Sequence, residues 1–139
     1  MPPKLAEIVE EFASAPRDVV LEMLIEFADA MPPLPGEMAG HDGMEQVPEC
    51  QTQFFLKVEV QPDRTVRTWF DCPPEAPTTR AFAGILAEGL EGASTAEILA
   101  VPDDLYARMG LAQTISPLRI RGGSAILARL KRQVAAQVA

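Results

Sequence analysis

The chain has 139 residues, with 12 Lys and Arg against 20 Asp and Glu, one His, two Cys, 13 Pro and nine Gly, for a formal charge of −8. That length can bury a real core without metal or disulfide staples, and an apolar fraction of 47% argues against disorder. The acidic balance argues against a nucleic-acid binder, which needs a cationic face to displace counterions, and against an anionic membrane surface.

The opening Met1-Pro2-Pro3-Lys4-Leu5-Ala6-Glu7 lacks a long apolar stretch and turns acidic, unlike a secretory signal. No run reaches the roughly 18 apolar residues of a spanning helix. Two cysteines without an export signal suggest the cytoplasm, where thiols stay reduced.

Leu5, Ile8, Val9 and Phe12 fall at helical spacing with Glu7, Glu10 and Glu11 opposite, predicting an amphipathic helix. Pro16 punctuates the chain, and Asp18 suits the first turn of a second helix over about 16–30, whose stripe is Val20, Met23, Leu24, Phe27 and Met31. Pro32, Pro33, Pro35, Gly36, Gly40, Gly43 and Pro48 then break the chain too often for a helix. They predict a surface loop that carries the only histidine, His41, and leads into Cys50.

Beyond Cys50 the period falls to two. Phe54, Leu56, Val58 and Val60 alternate with Phe55, Lys57, Glu59 and Gln61, Pro62-Asp63 supplies a turn, and Arg64 to Phe70 forms a second strand. A short strand at Met44 to Val47 would extend this antiparallel hairpin. The rest is helical. Phe82, Ile85 and Leu86 belong to a helix from Pro77-Thr78 to Gly89–Gly92, and Ser94 and Glu97 have capping-box spacing. Pro102-Asp103-Asp104 opens a short helix closed by Gly110, and Ser116-Pro117 starts the last one, with Ile126, Leu127, Leu130 and Val134 as its stripe. Gly122-Gly123 is expected to bend that helix or delay its start. The expected fold class is α+β, one domain over 1–139 with a small antiparallel sheet flanked by helices.

Charge is uneven. Residues 105–139 hold Arg108, Arg119, Arg121, Arg129, Lys131 and Arg132 and no carboxylate, so the rest of the chain carries −14. The plain reading is a solvated helix with cations toward its C-terminal end; the functional one is a patch facing an acidic partner or a developing thiolate.

Cys50, in Val47-Pro48-Glu49-Cys50-Gln51-Thr52, stands where a loop meets a strand, a rigid scaffold with loop backbone free to move aside. Only a thiolate is nucleophilic, and Glu45 and Glu49 oppose ionisation, so help has to come through space, from Arg119 or backbone N–H groups. On residue type alone, a packed inert thiol and a reactive one both stay open.

Cys50-Gln51-Thr52 before an alternating strand resembles the SufE-type sulfur acceptors, the cysteine desulfuration proteins of iron–sulfur cluster assembly. The likeness extends through Asp71 to Glu75 leading to Arg80, Leu105-Tyr106 to Gly110-Leu111, and Ile115-Ser116-Pro117-Leu118-Arg119. Glu49 stands where the family often has Gly, Thr52 where Ser is common and Ala81 where Gly is frequent; Cys72 has no general counterpart. The resemblance implies a fold related to the scaffold protein IscU. It also implies that Cys50 takes persulfide sulfur from a cysteine desulfurase of the SufS type, stimulates that enzyme and passes the sulfur to a cluster scaffold complex. Such a chain is a covalent carrier rather than an enzyme. It holds no cofactor of its own, the pyridoxal phosphate being the desulfurase's. Glu75 and Arg119 carry over as partner contacts, and strand residues such as Phe54 as shelter for the loaded sulfur. One rival is a metal or cluster scaffold using Cys50, Cys72 and His41 with a carboxylate such as Asp42. Another is an interaction module with an inert Cys50. His41 itself reads as a loop residue with no carboxylate spacing to make it a base, and Cys72 as a small packed thiol.

Overall fold

Pro3–Ser14 forms α1 and Arg17–Asp29 forms α2 in the computed structural model, which describes residues 1–138. The extended backbone at Ala15 (ψ 144°) and the proline after it end one helix and free the chain to start the next. Leu5, Ile8 and Phe12 of α1 and Val20 and Leu24 of α2 are buried, as the helical spacing predicts, with Met31 just beyond α2; Met23 and Phe27 are only partly buried, and Ala28, outside the expected stripe, is buried too.

Glu45–Gln46 (β1), Phe55–Val60 (β2) and Val66–Asp71 (β3) make a three-stranded antiparallel sheet in the order β1-β2-β3. Opposite pairs include Leu56 with Phe70 and Val60 with Val66. Leu56, Val58, Val66 and Phe70 are buried, while Lys57 and Arg67 sit over Trp69 on the other face. The second strand starts two residues later than expected because Arg64 takes left-handed backbone (φ 69°) in the turn. Asp63 Oδ1 braces that turn, accepting from the Thr65 N–H and hydroxyl at 3.0 and 2.6 Å.

β1 is too short to cover all of β2. The uncovered edge is met by Pro117–Val138 (α6): the Val58 N–H donates to Gln133 Oε1 at 2.8 Å, the Val60 N–H to Gln137 Oε1 at 2.9 Å, and Gln137 Nε2 donates to the Val58 carbonyl at 2.8 Å. Pro77–Gly89 (α3), Thr95–Leu99 (α4) and Leu105–Arg108 (α5) complete the helices. The Ser94–Glu97 capping box forms in both directions, and Gly110 takes the left-handed φ of 72° that ends the short helix. One core joins the helices to the inner sheet face, with Leu5, Leu56, Ile85, Leu105 and Ile126 fully buried. No helix among the described residues is long and apolar enough to cross a membrane.

Gly122-Gly123 corrects one expectation: α6 passes through both without a break. These glycines are close-approach positions. A Cβ on Gly123 would lie 2.9 Å from the Phe82 ring and 3.0 Å from the Tyr106 ring. The charge reading changes too. Arg129, Lys131 and Arg132 of α6 pair with Glu45, Glu49 and Asp103, while the Arg132 side chain stays 65% exposed.

Candidate functional site

Cys50 is set by a tight local turn. Buried Val47 donates its N–H to the Phe54 carbonyl at 2.9 Å, anchoring the loop to the strand, and the Cys50 N–H returns to the Val47 carbonyl at 3.2 Å. The side chain is half-buried, and its S–H donates to the Gly122 carbonyl at 3.8 Å. Gly122 lets α6 lie directly under the cysteine: a Cβ there would be 3.5 Å from Sγ.

Above this contact opens a pocket of about 180 Å³, lined by Cys50, Thr52, Glu75, Phe82, Leu118 and Arg119 together with the two glycines. Residues from the loop, the α3 approach and the first turns of α6 therefore converge, and they include Cys50, Glu75 and Arg119. Phe54 does not line the pocket. It is fully buried against Phe70, and the aromatic wall is Phe82 from α3, tilted against buried Tyr106 with centroids 4.6 Å apart. Thr52 Oγ1 and the Tyr106 hydroxyl are buried without a hydrogen-bond partner among the described residues.

The electrostatics also differ from the expectation. Burial pushes the Cys50 thiol up to about 11, with Cys72 and Glu49 adding to the effect and only Arg129 opposing it. The resting group is a thiol. Arg119 instead donates to Thr78 Oγ1 at 2.9 Å at the exposed rim. Sequence reasoning places Arg129 only among six cations that could face an acidic partner or a developing thiolate, yet it is the one that grips Glu49 beside Cys50. Its guanidinium donates to Glu45 at 2.7 Å and to both oxygens of Glu49 at 3.0 and 3.2 Å. Arg132 and Gln133 add bonds to Glu45 at 2.7 and 3.0 Å. Although burial works against it, hydrogen bonds from Gln133, Arg129 and Arg132 hold the Glu45 carboxyl below its usual range. The available signal is spacing: Arg129 lies seven residues after Gly122, two helical turns along the same face.

Cys72 is buried with Sγ 4.0 Å from Met31 Sδ, and burial pushes its thiol up to about 11 as well. His41 belongs to a different surface. It takes left-handed backbone (φ 63°), stacks on Phe55 at 3.8 Å, and meets Asp71 Oδ2 through Nε2 at 2.6 Å. It thus has a carboxylate partner 30 residues away that no local spacing reveals. Among the described residues no three His, Cys, Asp or Glu side chains converge as a metal-binding group, so the Cys50, Cys72 and His41 set of the rival scaffold is not assembled.

The family model described as SufE, Fe-S metabolism associated domain, matches residues 6–134. Uncharacterized SufE-like proteins from two Mycobacterium tuberculosis strains are 51% identical over 134 residues, 96% of this chain and 93% of theirs. The SufE-like protein 1, chloroplastic/mitochondrial, of Arabidopsis thaliana is 28% identical over 88% of this chain, which spans 32% of that longer protein. The solution structure of a hypothetical protein from Thermus thermophilus superposes with a TM-score of 0.88 at 43% identity, over 99% of this chain and 98% of that one. The fold shared with it is a small antiparallel sheet with flanking helices.

Proposed function

Because the chain belongs to the SufE family and so to iron–sulfur metabolism, we propose that it is a sulfur acceptor, with Cys50 as the atom that carries the sulfur. The observation supporting this is the convergence of Cys50, Glu75 and Arg119 on one open pocket, with Gly122 of α6 directly against the thiol. The donor is a persulfide on the active-site cysteine of a pyridoxal-phosphate cysteine desulfurase of the SufS type. Cys50 thiolate attacks the outer sulfur; a new S–S bond forms at Cys50, the donor's S–S bond breaks, and the donor leaves as a thiolate that takes up a proton. One sulfur moves and no external electron is needed. The sulfur then passes to a cluster scaffold, and clearing it from the desulfurase stimulates that enzyme.

Burial is the main cause of the raised Cys50 pKa, so the thiol is quiet while seated and ionises more readily once the loop carries it out toward the donor. Reactivity is thereby tied to docking, with Glu75 and Arg119 at the pocket rim as contacts and Phe82 sheltering the loaded sulfur. The whole chain works as one domain in the cytoplasm, where its thiols stay reduced.

Mass spectrometry tests the reading. After incubation with desulfurase and cysteine, the peptide holding Cys50 gains about 32 Da, one sulfur atom. Gain on Cys72 alone, or full stimulation of the desulfurase by Cys50→Ser, would refute it.

A further inference from the structure

Glu49 immediately precedes the reactive cysteine, and its carboxylate is bound by one cation. Arg129 Nη2 reaches both Glu49 oxygens, at 3.0 and 3.2 Å, while Nη1 holds Glu45 at 2.7 Å. The two ends of this bridge are unequal. Glu45 sits in β1, is largely shielded, and takes further bonds from Arg132 and Gln133. Glu49 has a side chain 41% exposed and no other side-chain donor among the described residues. Arg129 is itself built in: its side chain is only 22% exposed, and Nε is buried without a partner among the described residues. A bridge of this kind opens at Glu49, leaving Arg129 in place on Glu45.

The position of the weak end matters. Cys50 Sγ and Cα and the Glu49 carbonyl all lie against Gly122, where an added Cβ would be within 3.5–3.8 Å of each. The cysteine is thus seated on α6 by a long S–H bond and the packing at Gly122, two helical turns from the guanidinium that grips its neighbour. We infer that Arg129 is a positioning residue for Cys50, its grip on Glu49 forming a releasable latch that keeps the cysteine seated on Gly122 until the carboxylate lets go. The purpose of the latch rests on the sulfur-acceptor reading; its existence does not. An anionic group on the docking partner that competes for Arg129, or a cationic one that takes Glu49, would open it at the moment Cys50 is wanted.

The experiment uses the free full-length chain, without donor. Alkylation of Cys50 by iodoacetamide is followed by peptide mass spectrometry, alongside hydrogen exchange of residues 47–52, in wild type, Glu49→Gln and Glu49→Asp. Glu49 is exposed, so neither variant threatens the fold. Glu49→Asp keeps the charge beside the thiol and only shortens its reach, which separates the latch from a charge effect on ionisation. Both variants are expected to alkylate about two- to five-fold faster, the range of an exposed ion pair, and to exchange faster over the loop. Raising the salt from about 0.05 to about 0.5 M should speed wild type toward the variants. A wild-type rate and unchanged exchange in Glu49→Asp would overturn the latch, as would acceleration confined to Glu49→Gln. Loss of sulfur uptake with these rates intact would instead strike the acceptor reading alone.

Discussion

Gly122 and Gly123 are neighbours with opposite tolerances. Alanine at 122 places its methyl 3.5 Å from Cys50 Sγ, an ordinary contact, and replaces a helix-interior glycine, which favours the fold by about 0.5–1 kcal/mol. Gly122→Ala is expected to raise the thermal midpoint while shortening the lifetime of the loaded form, since the methyl crowds the place where Cys50 reseats carrying a second sulfur about 2.05 Å from the first. At 123 the methyl would come within 3.0 Å of two packed rings, Phe82 and Tyr106. Gly123→Ala is therefore expected to cost about 1–3 kcal/mol through overpacking. Thermal melts check both, with persulfide lifetimes for the first, and a destabilised Gly122→Ala with a wild-type lifetime would contradict the assignment. Glycine in a helix reads from sequence as a defect because the sequence does not show what lies across from it. Arg129 is hidden for the same reason: its carboxylate partners are 84 and 80 residues away. Cys50 is legible because its local setting, a loop meeting an alternating strand, is written in adjacent residues.

At the scale of elements, the hairpin and the capped helices are readable because their signals are local: alternation along β2, Pro62-Asp63 at the turn, Ser94 and Glu97 at their capping spacing. The cover on the β2 edge is not. Gln133 and Gln137 look like solvent-facing helix residues, yet they occupy the place of a missing strand. Gln137 gives the cleaner test, since Gln133 also binds Glu45. Gln137→Ala frees one donor and one acceptor of the strand backbone, each worth about 0.5–1.5 kcal/mol. Faster hydrogen exchange at Val60 than at residues of β3, with a modest fall in the urea midpoint, is the expected result. Unchanged Val60 exchange would show that the edge does not depend on this side chain.

Across the whole molecule, the −14 and +6 segments of the chain are drawn together by Glu45, Glu49 and Asp103 pairing with three α6 cations, at and near the surface. The fold class is legible from periodicity, but this long-range pairing is not, because charge along a sequence carries no information about distance in space. The two thiols give the fold an alkaline boundary. Burial moves both Cys50 and Cys72 from 9.0 to about 11. Between those values the unfolded chain has already released thiol protons that the folded chain retains, so the native state binds more protons and stability falls as pH rises. Their contribution is fully present below about pH 9 and is lost as pH climbs through about 11. Cys72 should dominate, because Cys50 is half-exposed and solvent screens its share. Urea midpoints followed from pH 8 to pH 11 are expected to decline in wild type and to decline less steeply in Cys72→Ala, which has one fewer buried thiol to ionise. A Cys72→Ala curve parallel to wild type would mean that the thiol at 72 ionises equally in the folded and unfolded chains, and the alkaline limit would then have to come from groups other than this one.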